Sequence, residues 1–125
     1  MPSSPHRALN DELHYRVLKH LQANPKASQR ELAHALGISL GRTNYCVRAF
    51  IERGWVRAQS FRRSNNKRAY AYLLTPEGIE QKARLLARFI TRKEAKYDAL
   101  QVELEQLTAE AEAEGLILQS KARGR

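Results

Sequence analysis

The sequence predicts a mainly α-helical fold: three helices and a two-stranded β-hairpin, then a long last helix. Three observations predict it. Apolar residues recur at three- and four-residue spacing through residues 13–21 and again from residue 83 to 111. Ser28-Gln29-Arg30-Glu31 and Gly37 frame a short helix that leads at once into another. Residues 55–61 and 68–74 are strand-like runs around a polar, basic stretch.

Each element follows from local signals. Residues 1–9 carry two prolines and two serines without periodicity and read as a disordered arm. Asn10 or Asp11 is expected to cap the first helix, which presents Leu13, Val17, Leu18 and Leu21 on one face and stops near Asn24, ahead of Pro25. Ser28 and Glu31 form a capping box, each side chain serving the other's backbone N–H. The second helix presents Leu32, Ala33 and Leu36 and is stopped by Gly37. Ile38 fills the turn. Ser39 caps a third helix from about residue 40 to 53, and Gly54 stops it. Trp55 to Phe61 and Arg68 to Leu74 pair around Ser64-Asn65-Asn66, a turn-forming tip. Thr75-Pro76-Glu77 opens the last helix with a cap, a first-turn proline and an acid suited to the helix dipole. No breaker follows until Gly115. The expected organisation is an arm (1–9), a domain of helices and hairpin (10–76), a long helix (77–114) and a flexible tail (115–125).

Composition narrows the function. The chain of 125 residues has a net charge of +9. Residues 1–93 hold 18 Lys/Arg against 6 Asp/Glu, whereas residues 94–125 hold 4 against 7. A basic body with a mildly acidic tail points to a polyanionic partner for the body. No long apolar run marks a membrane span and no apolar leader opens the sequence, so a cytoplasmic protein is expected. The single cysteine, Cys46, excludes an internal disulfide and a cysteine-based metal cage. His6, His14, His20 and His34 show no metal-binding spacing with nearby acids. No phosphate-binding glycine loop and no serine-nucleophile elbow occurs. No enzyme, cofactor or metal site is expected.

The segment from Glu31 to Ser39 followed by a helix is the pattern of a helix-turn-helix. Small Ala33 lets the two helices cross closely, and Gly37 supplies the backbone angle of the turn. Thr43, Cys46, Val47 and Phe50 share the inner face of the third helix, which makes Cys46 a small core residue rather than a redox switch. Arg42, Asn44, Tyr45 and Arg48 occupy the remaining surface, with Ser39 at its start. Arg suits guanine O6 and N7, Asn suits adenine N6 and N7, and Tyr reaches a phosphate or a thymine methyl. Arg62, Arg63, Lys67 and Arg68 flank the hairpin tip, as a basic wing on the minor groove or backbone would, with Arg63 and Lys67 nearest the tip.

The order of elements resembles the winged-helix regulators of the MarR type. Gly41-Arg42-Thr43-Asn44-Tyr45-Cys46, together with Ser64-Asn65-Asn66-Lys67-Arg68-Ala69-Tyr70-Ala71-Tyr72-Leu73-Leu74-Thr75-Pro76, is similar to the small MarR family proteins associated with exopolysaccharide gene clusters in bacteria. The resemblance covers roughly residues 10–110 and implies a bacterial transcriptional regulator of double-stranded DNA, with polysaccharide synthesis genes as candidate targets. Larger members build a ligand pocket from N- and C-terminal helices together. Here the N-terminal portion is short, so a small-molecule effector is not expected.

In the last helix Ile90, Tyr97, Leu100, Leu104, Leu107 and Ala111 form a stripe, with Lys93 the one discordant heptad member. Ile79, Ala83 and Leu86 are close enough to the domain to pack on it. The remainder fits knobs-into-holes pairing with a second copy, parallel or antiparallel, and hence a palindromic or near-palindromic site. The competing reading is a winged-helix module that binds protein and uses the coiled coil as its arm. The basic recognition face opposes it, since a protein-binding face is usually more apolar.

Overall fold

The structure, a computed structural model, describes residues 5–116, with side chains from residue 10 onward. The elements are α1 (Pro5–Ala23), α2 (Gln29–Leu36), α3 (Leu40–Glu52), β1 (Val56–Arg62), β2 (Arg68–Leu74) and α4 (Pro76–Ala113). The chain divides between Phe89 and Ile90 into two compact units. Residues 1–4 of the expected arm and most of the expected tail lie outside the described residues.

The first unit is built on α1, α2 and α3. Helix α1 buries Leu13, Val17, Leu18 and Leu21, the face that the spacing predicts. It starts at Pro5, earlier than a cap at Asn10 or Asp11 would allow, so residues 5–9 are helical. Proline is tolerated in a first helical turn, and nothing between His6 and Glu12 breaks a helix. Asp11 serves a different purpose: it is buried, and its carboxylate accepts a hydrogen bond from Arg88 Nε at 3.0 Å.

Helix α2 begins with the expected capping box. The Glu31 N–H donates to Ser28 Oγ at 3.1 Å and the Ser28 N–H to Glu31 Oε1 at 2.7 Å. Gly37 ends it at φ 69°, a left-handed angle costly for a residue with a Cβ. The Gly37 and Ile38 N–H groups then return to the carbonyls of His34 and Ala33. Helix α3 follows directly, capped by Ser39, whose Oγ accepts from the Arg42 N–H at 3.0 Å. Thr43, Cys46, Val47 and Phe50 are buried, as their spacing requires. Phe50 is the centre of the core: Trp55 stacks on it at 5.5 Å and His14 meets it edge-on at 5.3 Å. Burying a side chain of this size contributes roughly 1.5–3 kcal/mol.

Strands β1 and β2 pair antiparallel from Val56↔Leu74 to Arg62↔Arg68. At the hairpin's base the Tyr72 N–H donates to the Pro25 carbonyl at 2.9 Å, tying it to the loop between α1 and α2. Thr75 then caps α4 through a hydrogen bond from the Gly78 N–H at 3.0 Å, while its own hydroxyl donates to the Gly54 carbonyl at 2.6 Å. Gly78 passes so close to Trp55 that an added Cβ would lie 2.0 Å from the Trp55 carbonyl oxygen.

The face that α4 turns to the first unit differs from the expected one. Leu85, 2% exposed, is the buried residue; Ala83 and Ile79 are exposed and Leu86 is half-buried. The heptad pattern follows one face of α4, and the globular unit packs against its neighbour. Lys82 and Arg88 reinforce that choice through Gln22 and Asp11 of α1.

The second unit is the remainder of α4. Ile90, Tyr97, Leu100, Leu104 and Leu107 are exposed, and Ala111 is half-buried. The Gly115 and Leu116 N–H groups return to Glu112 and Ala111, ending the helix where the sequence predicts. Among the described residues no helix is long and apolar enough to cross a membrane.

Candidate nucleic-acid interface

Burying Thr43, Cys46, Val47 and Phe50 turns the opposite side of α3 outward. Tyr45 is 72% exposed, and Arg48 and Gly41 lie beside it on the same side. Arg42 and Asn44 occupy opposite flanks of this face. Arg42 is exposed and its charge is felt by His14 of α1. Asn44 is half-buried, and its Nδ2 donates to Gln29 Oε1 of α2 at 3.1 Å. The outward face therefore runs Arg42, Tyr45 and Arg48, then Asn44. Ser39 stands at its N-terminal end, and its hydroxyl oxygen already serves as a cap.

The wing tip is the five-residue loop 63–67, closed by backbone bonds. The Arg63 N–H donates to the Lys67 carbonyl at 2.9 Å and the Asn66 N–H to the Arg63 carbonyl at 2.8 Å. Asn66 takes φ 64°, a left-handed angle that Asn tolerates better than most residues. Arg62 and Arg68 face each other across the strands, and Arg62 Nη1 donates to Asn66 Oδ1 at 3.0 Å. Like charges placed opposite one another on a hairpin are mutually destabilising. Among the described residues none of Arg42, Arg48, Arg63, Lys67 and Arg68 forms an ion pair. These five cations thus make no ion-pair contact, although the Glu31 carboxylate lies near enough to feel Arg63.

Two details link α2 and the loop before it to this surface. The Glu31 carboxyl is held below the usual carboxylate range by the Ser28 backbone N–H and side chain, with Arg63 of the wing adding a smaller pull. Lys26 Nζ sits 5.1 Å over the Phe61 ring of β1. Gln29 is the residue that sequence reasoning missed. As well as accepting from Asn44, its Nε2 donates to the Tyr72 hydroxyl at 3.2 Å. A long amide at the first position of α2, directly after the capping serine, is the signal that was present. Cys46 is buried and its thiol is pushed up by that burial, which leaves it the core residue its spacing suggests.

Comparison with known proteins agrees with this geometry. Residues 10–57 match the family described as winged helix-turn-helix DNA-binding. No curated protein sequence matches the chain. Among solved structures, a PadR-like transcriptional regulator from Bacillus cereus is similar at a TM-score of 0.67 and 16% identity, over 76% of this chain and 97% of that one. The PcaV transcriptional regulator from Streptomyces coelicolor is 27% identical at a TM-score of 0.54, over 82% of this chain and 79% of that one. A MarR family protein from Mycobacterium tuberculosis, solved in complex with salicylic acid, is similar at a TM-score of 0.51 and 21% identity, over 78% and 73% of the two chains. The chain thus has a mainly helical winged-helix fold shared with MarR family and PadR-like regulators, and its residues 10–57 are similar to the winged helix-turn-helix DNA-binding family.

Proposed function

We propose that this protein is a sequence-specific, double-stranded DNA-binding transcriptional regulator of the MarR type that acts as a homodimer. The observation that carries the reading is the set of outward basic and polar side chains on α3 and the wing, none of whose cations forms an ion pair among the described residues. Arg42 and Asn44 read base edges in the major groove, Tyr45 contacts a phosphate or a thymine methyl, Arg48 contacts a phosphate, and Ser39 donates its hydroxyl hydrogen to a phosphate. Arg62, Arg63, Lys67 and Arg68 hold the minor groove or the adjacent backbone. Ile90, Tyr97, Leu100, Leu104, Leu107 and Ala111 pair two copies, so the operator is palindromic or nearly so. A cytoplasmic location follows from this role. Exopolysaccharide genes are the candidate targets, on the motif resemblance alone.

The test is binding to random-sequence duplex DNA at increasing salt, followed by selection of the bound sequences. Affinity should fall steeply with salt, because each neutralised phosphate releases counterions. Replacing both Arg42 and Asn44 by Ala should remove sequence preference and keep part of the non-specific affinity. Failure of any duplex to bind at low salt would overturn the reading. Unchanged preference in the double variant would overturn the readout assignment. Salicylic acid, present in the Mycobacterium tuberculosis structure, is the first small molecule to add to the same assay; the proposal assigns no effector site and expects no change.

A further inference from the structure

We infer that the second copy docks on α4 antiparallel, with Lys93 of each chain opposite Ala111 of the other, so that the basic start of each stripe lies along the acidic end of its partner. The inference rests on the proposed homodimer and adds the orientation and register of the pair. The charge order of the second unit carries it. Residues 90–97 hold Arg92, Lys93 and Lys96 against Glu94, whereas residues 98–114 hold Asp98 and five glutamates and no Lys or Arg. The Glu114 N–H donates to the Glu110 carbonyl at 3.1 Å, so the helical turn continues through Glu114.

Orientation follows from that order. Two parallel copies in register set each stripe residue beside its own equivalent. Lys93, which stands in the apolar stripe, would then meet Lys93 of the second copy. The acidic end would also run beside another acidic end along its whole length, and like charges at that spacing repel. Antiparallel copies replace both contacts by opposite charges. Register follows from Lys93. Ala111 is the smallest member of the stripe. Opposite it, the lysine stem packs on the stripe while the ammonium reaches outward between Glu110 and Glu114 of the second copy. Lys96 falls on the same flank, beside Glu110 of the second copy. All four charged side chains are exposed. The same register sets Tyr97 against Leu107 and Leu100 against Leu104. The two-fold axis then crosses the paired helices at the level of Val102, perpendicular to them.

Two measurements on the full chain test this arrangement. In the first, Ala113, which is exposed and off the stripe, is replaced by Cys and spin-labelled. The wild type, whose Cys46 is buried, is the labelling control. In the antiparallel register residue 113 lies opposite residue 91, so the two labels should sit about 33 Å apart along the axis. In a parallel pair they would face each other across helices about 10 Å apart. In the second, sedimentation over a range of concentrations measures dimerisation of charge-reversed chains. Lys93→Glu with Lys96→Glu should weaken dimerisation by roughly tenfold, because about four exposed opposite-charge contacts of about twofold each are lost from the pair. Glu110→Lys with Glu114→Lys should do the same. The chain carrying all four substitutions should return to within about threefold of the wild type, since the contacts re-form with their signs exchanged. In a parallel pair each reversal only exchanges one like-charge contact for another, and the fourfold chain gains nothing. A short label distance, or no rescue in the fourfold chain, would overturn the inference and leave the homodimer standing. A wild type that sediments as a monomer, with no coupling between labels, would remove the dimer reading and this inference with it.

Discussion

Replacing Gly78 by Ala tests how α4 is joined to the winged-helix unit. The new Cβ would lie 2.0 Å from the Trp55 carbonyl oxygen and 2.9 Å from its carbon, where such contacts are essentially never below 3.0 Å. The start of α4 and the entry to β1 must therefore part by about 1 Å. Two hydrogen bonds lie across that seam: the Thr75 N–H to the Trp55 carbonyl at 3.0 Å, and the Thr75 hydroxyl to the Gly54 carbonyl at 2.6 Å. A parting of this size breaks the first and strains the second. Each is worth about 0.5–1.5 kcal/mol. The displaced packing around Trp55 adds about 1–3 kcal/mol, as overpacked sites do. The better helix propensity of Ala returns at most about 1 kcal/mol. The net loss is about 3 kcal/mol, and with a urea slope near 1.5 kcal/mol per molar the midpoint falls by about 2 M. The assay is urea unfolding followed by helical circular dichroism, at one fixed protomer concentration because the proposed dimer links stability to concentration. Gly41→Ala is the control: Gly41 also lies in a first helical turn, but an added Cβ meets nothing within 4 Å. Its midpoint should stay level or rise. A Gly78→Ala midpoint at or above that of the wild type, or an equal fall in both variants, would refute the reasoning.

Three other outcomes are expected. Replacing Arg63 and Lys67 by Ala should weaken binding about uniformly across DNA sequences and reduce the salt slope by about 1 per residue, read from affinity against salt concentration; a changed base preference with an unchanged slope would refute phosphate contact. Replacing Leu100 and Leu104, 63% and 39% exposed, by Lys should give a monomer mass in sedimentation, and a dimer mass would refute pairing through this stripe. His14 is held below its ordinary value first by burial and then by the charge of Arg53. The unfolded chain therefore takes up that proton first, so the His14 contribution to stability is fully present above about pH 6.5 and is lost as pH falls below it, down to the lowered value in the folded state. Melting temperatures between about pH 8 and pH 5 should fall less in His14→Gln than in the wild type, and equal falls would show that His14 carries none of the dependence.

The local features were legible because they depend on near neighbours in the chain. Ser28 and Glu31 are three residues apart, Gly37 and Gly54 end their helices, and the inner face of α3 follows from spacing alone. The hairpin register follows from the position of its turn. What the sequence concealed lies between residues far apart. Asp11 looks like a helix cap until Arg88, 77 positions away, is seen to hold it inside. Leu85 and Leu86 are indistinguishable by composition; the heptad selects Leu86, and the groove offered by the first unit selects Leu85. Gly78 sits in a run that any helix former could occupy, and only the approach of the Trp55 backbone makes a Cβ impossible. The same holds at the candidate interface. Arg42 and Asn44 are read from one helix, but the side chain that hydrogen-bonds Asn44 sits 15 residues earlier and bonds in turn to a tyrosine 43 residues later.

The hydrogen bond between the Tyr72 N–H and the Pro25 carbonyl has a consequence for the thermodynamics of capture. Ordering backbone costs about 1–2 kcal/mol per residue at room temperature. A hairpin free to swing would add that cost to every encounter with a duplex. With its root bound to the body, the base of the wing is placed when the chain folds, and that part of the cost does not recur on binding. A Pro25-loop variant that loosened this bond should therefore bind DNA with a larger entropic penalty while presenting every one of the proposed contact residues unchanged.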